Sequence, residues 1–244
     1  NSTSSDNAAL RLAITQYTAT SAAGTGLEEL RRSLKNRRSG LRRNDFDGCE
    51  LDTWIGRVSG VEAVELPAQL LDMQSRNNQL AWLALQQDGL LASVRELVDR
   101  IGPHRIAVIM GTSTSSIGRT EEAYRQLGAD DRMPEPLRQP QVHNLHSPGA
   151  FVAAATGLTG PSMTISTACS SSAKVFATAA RWIQHGIVDA ALIGGVDSLC
   201  QSILYGFNSL ELVSADPCKP FDRDRAGINI GEAAGYALVT RTEI

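Results

Sequence analysis

The sequence lacks any segment that could cross a membrane or direct secretion. Within its 244 residues, no apolar run approaches the ~18 residues that a bilayer crossing requires. Residues 1–6 are polar and have neither the basic flank nor the apolar run of a signal peptide, so we expect residues 1–9 to form a flexible leader. These absences argue against a membrane protein and favour a cytoplasmic one.

Cysteine and aromatic residues are also scarce. The four cysteines are Cys49, Cys169, Cys200 and Cys218. No two of them form a Cys-x-x-Cys pair, which argues against a metal site or a disulfide framework and suits a reducing compartment. Aromatic residues make up 5% of the chain against 42% for all hydrophobic residues, so we expect a core of mainly aliphatic side chains. A chain of this length buries such a core without covalent support.

The charge distribution bears on the choice of partner. A formal net charge of −3 argues against a general nucleic-acid surface. Residues 31–43, by contrast, contain no acidic residue. Their cations are Arg31, Arg32, Lys35, Arg37, Arg38, Arg42 and Arg43. The usual interpretation of such a run is a solvated helix end and loop, and the alternative is a docking surface for an acidic partner.

Hydrophobic periodicity predicts alternating strands and helices. The predicted strands cover residues 10–16, 105–111, 162–166, 189–195 and 236–241. The predicted helices cover residues 27–36, 78–87, 90–100, 119–127, 150–156 and 170–184. Several of the strands are continuous apolar runs, which suits burial on both faces, so we predict an α/β fold with a mostly parallel sheet. Residues 128–148 contain four prolines and are predicted to form a long irregular loop.

The segment around Cys169 is the most informative part of the chain. An apolar, β-prone stretch precedes it at 163–165, and apolar residues at helical spacing follow, with Gly186 placed as a C-terminal cap. Cys169 is therefore expected at a helix N-terminus, where unpaired N–H groups and the helix dipole favour the reactive thiolate. A lone intracellular cysteine is more often a buried apolar residue. The interpretation of Cys169 as a nucleophile therefore depends on the strand that is predicted before it and the helix that is predicted after it.

Several short segments occur in one order and at one spacing, and together they are far more specific than any one of them. They are Gly-Pro-Ser at 160–162, Ser-Thr-Ala-Cys-Ser-Ser-Ser at 166–172, Gly-Gly-Val-Asp at 194–197, Pro-Phe-Asp-Arg-Asp-Arg-Ala-Gly at 220–227 and Gly-Glu-Ala-Ala-Gly at 231–235. With these segments, residues 150–240 resemble the N-terminal half of a β-ketoacyl-acyl-carrier-protein synthase, a condensing enzyme of the thiolase-fold superfamily. The first 150 residues resemble it more loosely.

The resemblance implies a layered α/β fold with helices on both faces of the sheet. Residues 1–244 would be the first of two pseudo-symmetric halves, and we expect the C-terminal half not to be part of this chain. In the family, two histidines and a lysine that complete the site lie in that second half. The histidines here are His104, His143, His146 and His185, and none follows the nucleophile helix.

By resemblance, the activity is acyl transfer to the Cys169 thiol, followed by decarboxylative Claisen condensation with a malonyl thioester in fatty-acid, polyene or polyketide synthesis. The Cys169 backbone N–H would form part of the oxyanion hole. No resident cofactor is implied, because the substrates travel on the 4′-phosphopantetheine of an acyl carrier protein. The implied partners are this carrier and a second subunit, which is either an identical chain or a chain-length factor. Identical chains would pair through the strand at 162–166.

Other residues receive roles from the same resemblance. Phe207 and Thr114 match positions that line the acyl-chain pocket, although an ordinary core aromatic explains Phe207 equally well. The acidic residues Asp197, Asp222 and Glu232 match positions with structural roles.

The sequence contains only weak evidence for a surface that binds the acyl carrier protein. Arg76 is the one basic residue near the family's docking helix, because residues 66–75 contain no Lys or Arg. Arg37 and Arg38 in the basic run could substitute for the missing cations.

Two alternatives to a ketosynthase come from other classes. A chain-length factor is a non-catalytic partner that typically lacks the nucleophile, so Cys169 favours the enzyme. A thiolase carries its nucleophilic cysteine much nearer the N-terminus and lacks the motif at 220–227. His143 and His146 do not match catalytic histidine motifs and are interpreted as surface or structural residues.

Overall fold

The computed structural model describes residues 12–242, so the predicted leader at 1–9 lies outside the described residues. The strands are β1 (Leu12–Ser21), β2 (Gly24–Thr25), β3 (Arg42–Arg43), β4 (Trp54–Gly56), β5 (Ile106–Gly111), β6 (Ser162–Ile165), β7 (Ala190–Asp197), β8 (Ile230–Gly231) and β9 (Ala233–Arg241). The helices are α1 (Leu27–Lys35), α2 (Arg76–Leu85), α3 (Leu90–Ile101), α4 (Ile117–Arg125), α5 (Ser147–Thr156), α6 (Ser171–Gln184) and α7 (Gln201–Ser209).

Six strands form the main sheet in the order β2-β1-β9-β7-β5-β6. β6, β5 and β7 are parallel, whereas β9 is antiparallel to both β7 and β1. The sheet is therefore mixed, and the prediction of a mostly parallel sheet is wrong. A buried antiparallel strand has the same continuous apolar sequence as a buried parallel one, so the sequence pattern does not distinguish the two.

Helices cover both faces of this sheet, as predicted. Alternate residues of each strand point to opposite faces. On one face, Val108 and Leu192 belong to a large apolar cluster with residues of α2, α3 and α5. On the other face, Ile109 and Ile193 pack against Val175, Ala179 and Ile183 of α6. The helix that follows Cys169 therefore covers the second face of the sheet.

The predicted elements are present, with bounds that shift by a few residues. The largest shift is at β1, which continues to Ser21 instead of ending at residue 16. Its predicted first residues, Leu10 and Arg11, lie outside the described part of the chain. The segment 128–148 is irregular apart from a short 3₁₀ turn at Glu135–Leu137 and the start of α5.

Several elements were not predicted. A second, three-stranded sheet has the order β3-β4-β8, and its strands have only two or three residues, too few to show a periodicity. The helix α7 was also missed. None of the helices in residues 12–242 combines the length and hydrophobicity of a membrane span.

Candidate active site

Cys169 lies on the tight turn that joins β6 to α6. It is a free, exposed cysteine two residues before the first residue of the helix, with Ser170 at the N-cap. Ala168 immediately before it has a φ of 54°, a left-handed conformation that is unfavourable for residues with a Cβ. Strained backbone of this kind is concentrated at functional sites. The expected position of the sulfur at a helix start is therefore confirmed, and the turn presents it to solvent.

Ser171 holds this turn in place from beneath. Its side chain is buried, and its hydroxyl accepts a hydrogen bond from the Thr167 N–H at 2.9 Å. The same hydroxyl lies 2.6 Å from the Ala168 carbonyl oxygen and 3.0 Å from that of Thr112, and either oxygen can take its proton. A single serine thus ties the nucleophile turn to the end of β5. Ser171 lies in the segment 166–172, but its role as an anchor of the turn was not predicted from the sequence.

Two glycines allow the start of α6 to approach the sheet. A Cβ on Gly111 would lie 2.7 Å from the Ser172 backbone nitrogen, which is closer than real Cβ atoms come. A Cβ on Gly195 would collide with the Ser172 side chain. Gly194, its neighbour, leaves room for the Tyr236 ring on the opposite face. The Gly-Gly pair at 194–195 is therefore explained by close packing on both sides of β7.

Asp197 anchors the loop that follows β5. Its carboxylate accepts hydrogen bonds from the Thr112 hydroxyl at 2.7 Å, the Ser113 N–H at 2.8 Å and the Thr114 N–H at 3.3 Å. The loop lies beside the nucleophile turn, since the Ser166 hydroxyl reaches the Ser113 carbonyl oxygen at 3.4 Å. This geometry agrees with a structural role for Asp197 as the anchor of the loop, and it holds Thr114 in the loop beside the nucleophile turn.

The predicted pocket residues lie on the α4 and α7 side of the site. The Thr114 hydroxyl contacts Cys200, which is buried just before α7, and burial raises the pKa of the Cys200 thiol to about 12. Phe207 on α7 is partly buried against a separate apolar cluster that includes Ile55 and Leu204. The structure thus places Thr114 beside the nucleophile turn, whereas Phe207 packs against this separate cluster.

Glu121 fixes α7 relative to α4. Its two carboxylate oxygens accept hydrogen bonds from the N–H groups of Gln201 at 3.1 Å and Ser202 at 2.7 Å. Cys200, at the N-cap of α7, provides no side-chain cap of its own. A carboxylate on one helix therefore caps another, an arrangement that sequence reasoning missed because the two partners are 80 residues apart.

Arg76 has a structural position. Its guanidinium donates to the buried Glu232 carboxylate at 2.8 and 2.5 Å and to Glu62 at 2.5 Å. Burial alone would lower the pKa of Arg76, but the hydrogen bonds and charges of these two carboxylates raise it. Glu232 also accepts from the N–H groups of Val58 and Leu199, both at 2.9 Å. Arg76 therefore offers little of its charge to a docking partner.

Arg37 and Arg38 are exposed on the turn after α1. The two last arginines of the predicted basic run behave differently. Arg42 pairs with Asp45 at 3.3 Å, and Arg43 pairs with Asp52 at 2.6 Å. Because Arg42 and Arg43 are paired in this way, the part of the basic run that remains a candidate docking surface is residues 31–38.

His143 and His146 differ in their surroundings. Both ring nitrogens of His143 are engaged, one 2.8 Å from the Thr120 hydroxyl and the other 2.7 Å from the Leu137 carbonyl oxygen. The ring thereby ties the proline-rich loop to α4, in agreement with a structural role. His146 is exposed just before α5. Across residues 12–242, no group of three or more His, Cys, Asp or Glu side chains is arranged to hold a metal ion.

An open apolar groove of about 900 Å³ lies beside the nucleophile helix. Ile14 and Tyr17 of β1 and Phe176 of α6 line it, and each of these side chains is about half exposed. Neither Thr114 nor Phe207 contributes to the groove. Contiguous exposed apolar side chains of this kind are typical of an interaction surface.

Comparisons with known proteins agree with the geometry. Residues 10–243 match the family model of the beta-ketoacyl synthase, N-terminal domain. The chain is 27% identical over 242 residues to nodulation protein E of Rhizobium sp. (strain N33), which covers 96% of this chain and 58% of that protein. It is 28% identical over 254 residues to 3-oxoacyl-(acyl-carrier-protein) synthase 2 of Mycobacterium tuberculosis, covering 94% of this chain and 57% of that protein.

Solved structures give the same result. A ketosynthase (ApeO) in complex with its chain length factor (ApeC) from Xenorhabdus doucetiae matches with a TM-score of 0.80 and 33% identity, over 95% of this chain and 58% of that one. The ishigamide ketosynthase/chain length factor matches with a TM-score of 0.82 and 26% identity, over 96% and 59%. The chain spans less than two thirds of each of these four proteins. The family match over residues 10–243, together with the layered α/β fold, confirms that the chain belongs to the β-ketoacyl synthase family and contains its N-terminal domain.

Proposed function

We propose that the protein containing this chain is a β-ketoacyl synthase with Cys169 as its nucleophile. The observation that carries the proposal is the exposed thiol on a strained turn at the start of α6. Such a position places backbone N–H groups and the positive end of the helix dipole near the sulfur, and it presents the thiol to a substrate that approaches from solvent. The thiolate is the form of cysteine that attacks a carbonyl carbon.

The proposed reaction has two stages. In the first, the Cys169 thiol gives up its proton and the sulfur attacks an acyl thioester; the bond between the acyl carbon and the pantetheine sulfur breaks as the acyl–cysteine bond forms, and the pantetheine thiolate leaves and takes up that proton. In the second, a malonyl thioester loses CO₂, and its α-carbon attacks the acyl-cysteine carbonyl. A carbon–carbon bond forms, and the cysteine thiolate is released. The Cys169 backbone N–H is proposed as one donor of the oxyanion hole in both stages.

The substrates are proposed to arrive on the 4′-phosphopantetheine of an acyl carrier protein, without a resident cofactor. The name of the Mycobacterium relative, 3-oxoacyl-(acyl-carrier-protein) synthase 2, supports a carrier-bound substrate. Thr114 is proposed to face the acyl chain near the sulfur because its loop adjoins the nucleophile turn. Phe207 is proposed to contact the end of the acyl chain that lies farther from the Cys169 sulfur. The free state of all four cysteines supports a cytoplasmic setting.

The second candidate function is a chain-length factor, a non-catalytic partner subunit. Two structural neighbours are complexes of a ketosynthase with a chain length factor, and they support pairing of this chain with a second, related chain. The exposed Cys169 favours the catalytic subunit. A homodimer is the proposed assembly, because β6 pairs only with β5 within the described residues and its other edge is open.

Intact-protein mass spectrometry tests the function directly. The full-length protein would be incubated with an acyl thioester, and the mass of the acyl adduct and its position would be determined by peptide mapping. We expect a single acyl group on Cys169, loss of the adduct in Cys169→Ala, and its retention in the matched variant Cys218→Ala. Absence of any adduct on Cys169 in the wild-type protein would contradict catalysis and favour the chain-length factor.

A further inference from the structure

The exposed end of α1 and the turn after it form a strongly basic surface. Its members are Arg31, Arg32, Lys35, Arg37 and Arg38, all exposed, and we refer to them as the α1 basic surface. The chain as a whole has a net charge of −3, so this concentration of positive charge is local. A local field of this kind steers an oppositely charged partner toward one face of a protein.

Most of the charge on this surface is not neutralised within the described residues. Arg31 and Arg32 share one carboxylate, that of Glu28, at 3.6 and 3.9 Å, and all three side chains are largely exposed. Exposed pairs with this geometry are weak. Within residues 12–242, no carboxylate oxygen lies within 4.0 Å of a charged nitrogen of Lys35, Arg37 or Arg38.

Arg37 occupies a backbone position at which glycine is usual. Its φ is 52°, and the helix ends with hydrogen bonds from the Arg38 N–H to the Ser33 carbonyl oxygen and from the Arg37 N–H to that of Leu34. This pattern defines a Schellman motif, in which the left-handed residue is most often glycine because a Cβ is unfavourable there. The backbone conformation at position 37 therefore does not itself favour an arginine over glycine.

An apolar side chain lies among these cations. Leu34 is 70% exposed, one helical turn from Arg31 and directly before Lys35. An exposed leucine with a basic rim is complementary to an acidic helix that presents an apolar residue at its centre, as in protein interfaces with an apolar core and a polar rim. A nucleic-acid backbone would use the cations but would leave the leucine without a partner.

The α1 basic surface lies at the same edge of the sheet as Cys169. β1, β5, β6 and β7 run in one direction, so their carboxyl ends share an edge. Cys169 follows the end of β6. The turn after α1 returns to the end of β1. There the Gly40 backbone packs directly against the residues that follow β1, since a Cβ on Gly40 would lie 2.6 Å from the Ala23 nitrogen. Four strand spacings separate β1 from β6, or about 19 Å across the edge.

We propose that the α1 basic surface is the docking site of an acidic carrier protein that delivers its thioester to Cys169. This inference rests on the proposed function, since it names the partner that serves the same thiol. A carrier presents its thioester at the end of a long, flexible pantetheine arm, so it docks at a distance from the sulfur. The surface replaces the contribution of Arg76, whose guanidinium is engaged with Glu232 and Glu62.

Three variants of the full-length protein test this proposal. Arg37→Glu/Arg38→Glu reverses the charge, and Arg95→Glu/Arg100→Glu is the matched control on α3, whose last turn leads to the opposite edge of the sheet. Arg37→Gly removes one charge and supplies the residue that the left-handed position favours. Each variant would be acylated in parallel by an acyl carrier protein and by a small N-acetylcysteamine thioester that needs no docking.

We expect Arg37→Glu/Arg38→Glu to lower the rate of acylation from the carrier about tenfold at low salt, with a smaller loss at high salt. Acylation from the small thioester should keep its wild-type rate, and the α3 control should match the wild type with both donors. Arg37→Gly should slow acylation from the carrier while its melting temperature stays the same or rises.

An unchanged carrier rate in the charge-reversed variant would overturn the docking surface and leave the proposed function intact. An equal loss with both donors would also overturn it, because the substitution would then have acted on the fold or on Cys169. Failure of the wild-type protein to accept an acyl group from either donor would overturn the proposed function, and the docking surface with it.

Discussion

Two cysteines near the proposed site differ in their chemical environment. Cys169 is exposed at the helix start, whereas Cys200 is 1% exposed and burial raises the pKa of its thiol to about 12. We predict that iodoacetamide at neutral pH modifies Cys169 first and leaves Cys200 unmodified in the folded protein, because the thiolate is the reactive form. Peptide mapping after limited labelling measures this. Equal modification of both cysteines under native conditions would contradict it.

The carboxyl group of Glu62 has a lowered pKa, which makes its contribution to stability depend on pH. Burial alone would raise its pKa, but hydrogen bonds from Arg57 and Arg76 lower it from 4.5 to about 2. A carboxyl group with a lowered pKa in the folded state stabilises the protein above pH 4.5 and loses this contribution as the pH falls toward 2. We therefore predict that Glu62→Gln lowers stability at neutral pH and that its stability falls less steeply than that of the wild type between pH 4.5 and 2.

Urea unfolding at a series of pH values measures this difference. Glu96→Gln is the matched control, since Glu96 is exposed on α3 and forms no recorded ion pair within residues 12–242. It should unfold at the wild-type midpoint throughout. An acid dependence in Glu62→Gln as steep as that of the wild type would show that Glu62 does not contribute to the transition.

At the scale of elements, the cap on α7 comes from another helix. Glu121 on α4 accepts from the first two N–H groups of α7, and Glu122 beside it forms a partly buried pair with Arg119 on the same helix. We predict that Glu121→Ala lowers the free energy of unfolding by about 1–2 kcal/mol, the usual loss when a helix cap is removed. Glu122→Ala should cost less than about 1 kcal/mol. Denaturant titrations of both variants measure the difference, and equal losses would contradict a special role for Glu121.

Elements with a long periodic pattern could be predicted from the sequence, and elements fixed by distant contacts could not. The helix after Cys169 shows apolar spacing over four turns, and its observed start is within one residue of the prediction. The direction of β9 depends on its pairing with β1, more than 200 residues away, which local patterns do not encode. β8 is two residues long and is defined only by its partner β4.

The same division applies to the site. The position of Cys169 at a helix start follows from local sequence, and Asp197 as a loop anchor follows from the resemblance. Three other features could be found only in the structure. The Ser171 hydroxyl and the Glu121 carboxylate act through tertiary hydrogen bonds, and Ala168 is distinguished by its left-handed backbone conformation. Arg76 shows the opposite case, because a buried ion pair accounts for a charge that the sequence suggested was exposed.

At the scale of the whole molecule, β6 is an edge strand with one side unpaired within the described residues, and we expect this side to pair with a second protein chain. Ser162 and Met163 are exposed on this edge strand, and an unpaired edge is otherwise prone to aggregation. We predict that the full-length protein is a homodimer at micromolar concentration and that Met163→Lys weakens it. Light scattering measures both. Tyr124→Lys, an exposed site on α4, is the matched control and should leave the dimer intact, and a monomeric wild type would contradict the prediction.

Decarboxylation is the step for which neither His143 nor His185 is suitably placed. Carbanion formation needs donors aimed at the developing enolate oxygen, and loss of one such donor commonly costs ~10²–10³ in rate. His185 follows the last residue of α6, and a helix of 14 residues places it about 20 Å from the start that Cys169 precedes. Both ring nitrogens of His143 are occupied by Thr120 and Leu137.

We therefore predict that residues 1–244 expressed alone do not release CO₂ from a malonyl thioester, whereas the full-length protein does. Acyl transfer to Cys169 depends mainly on the helix start, so the isolated chain should retain it if it folds, which circular dichroism checks. Release of labelled CO₂ from malonyl carrier protein is the measurement. Comparable release from both proteins would place the donor within these residues. His146 would then be the first residue to replace, because its carbonyl oxygen lies 3.4 Å from the Thr164 hydroxyl, on the strand that leads to Cys169.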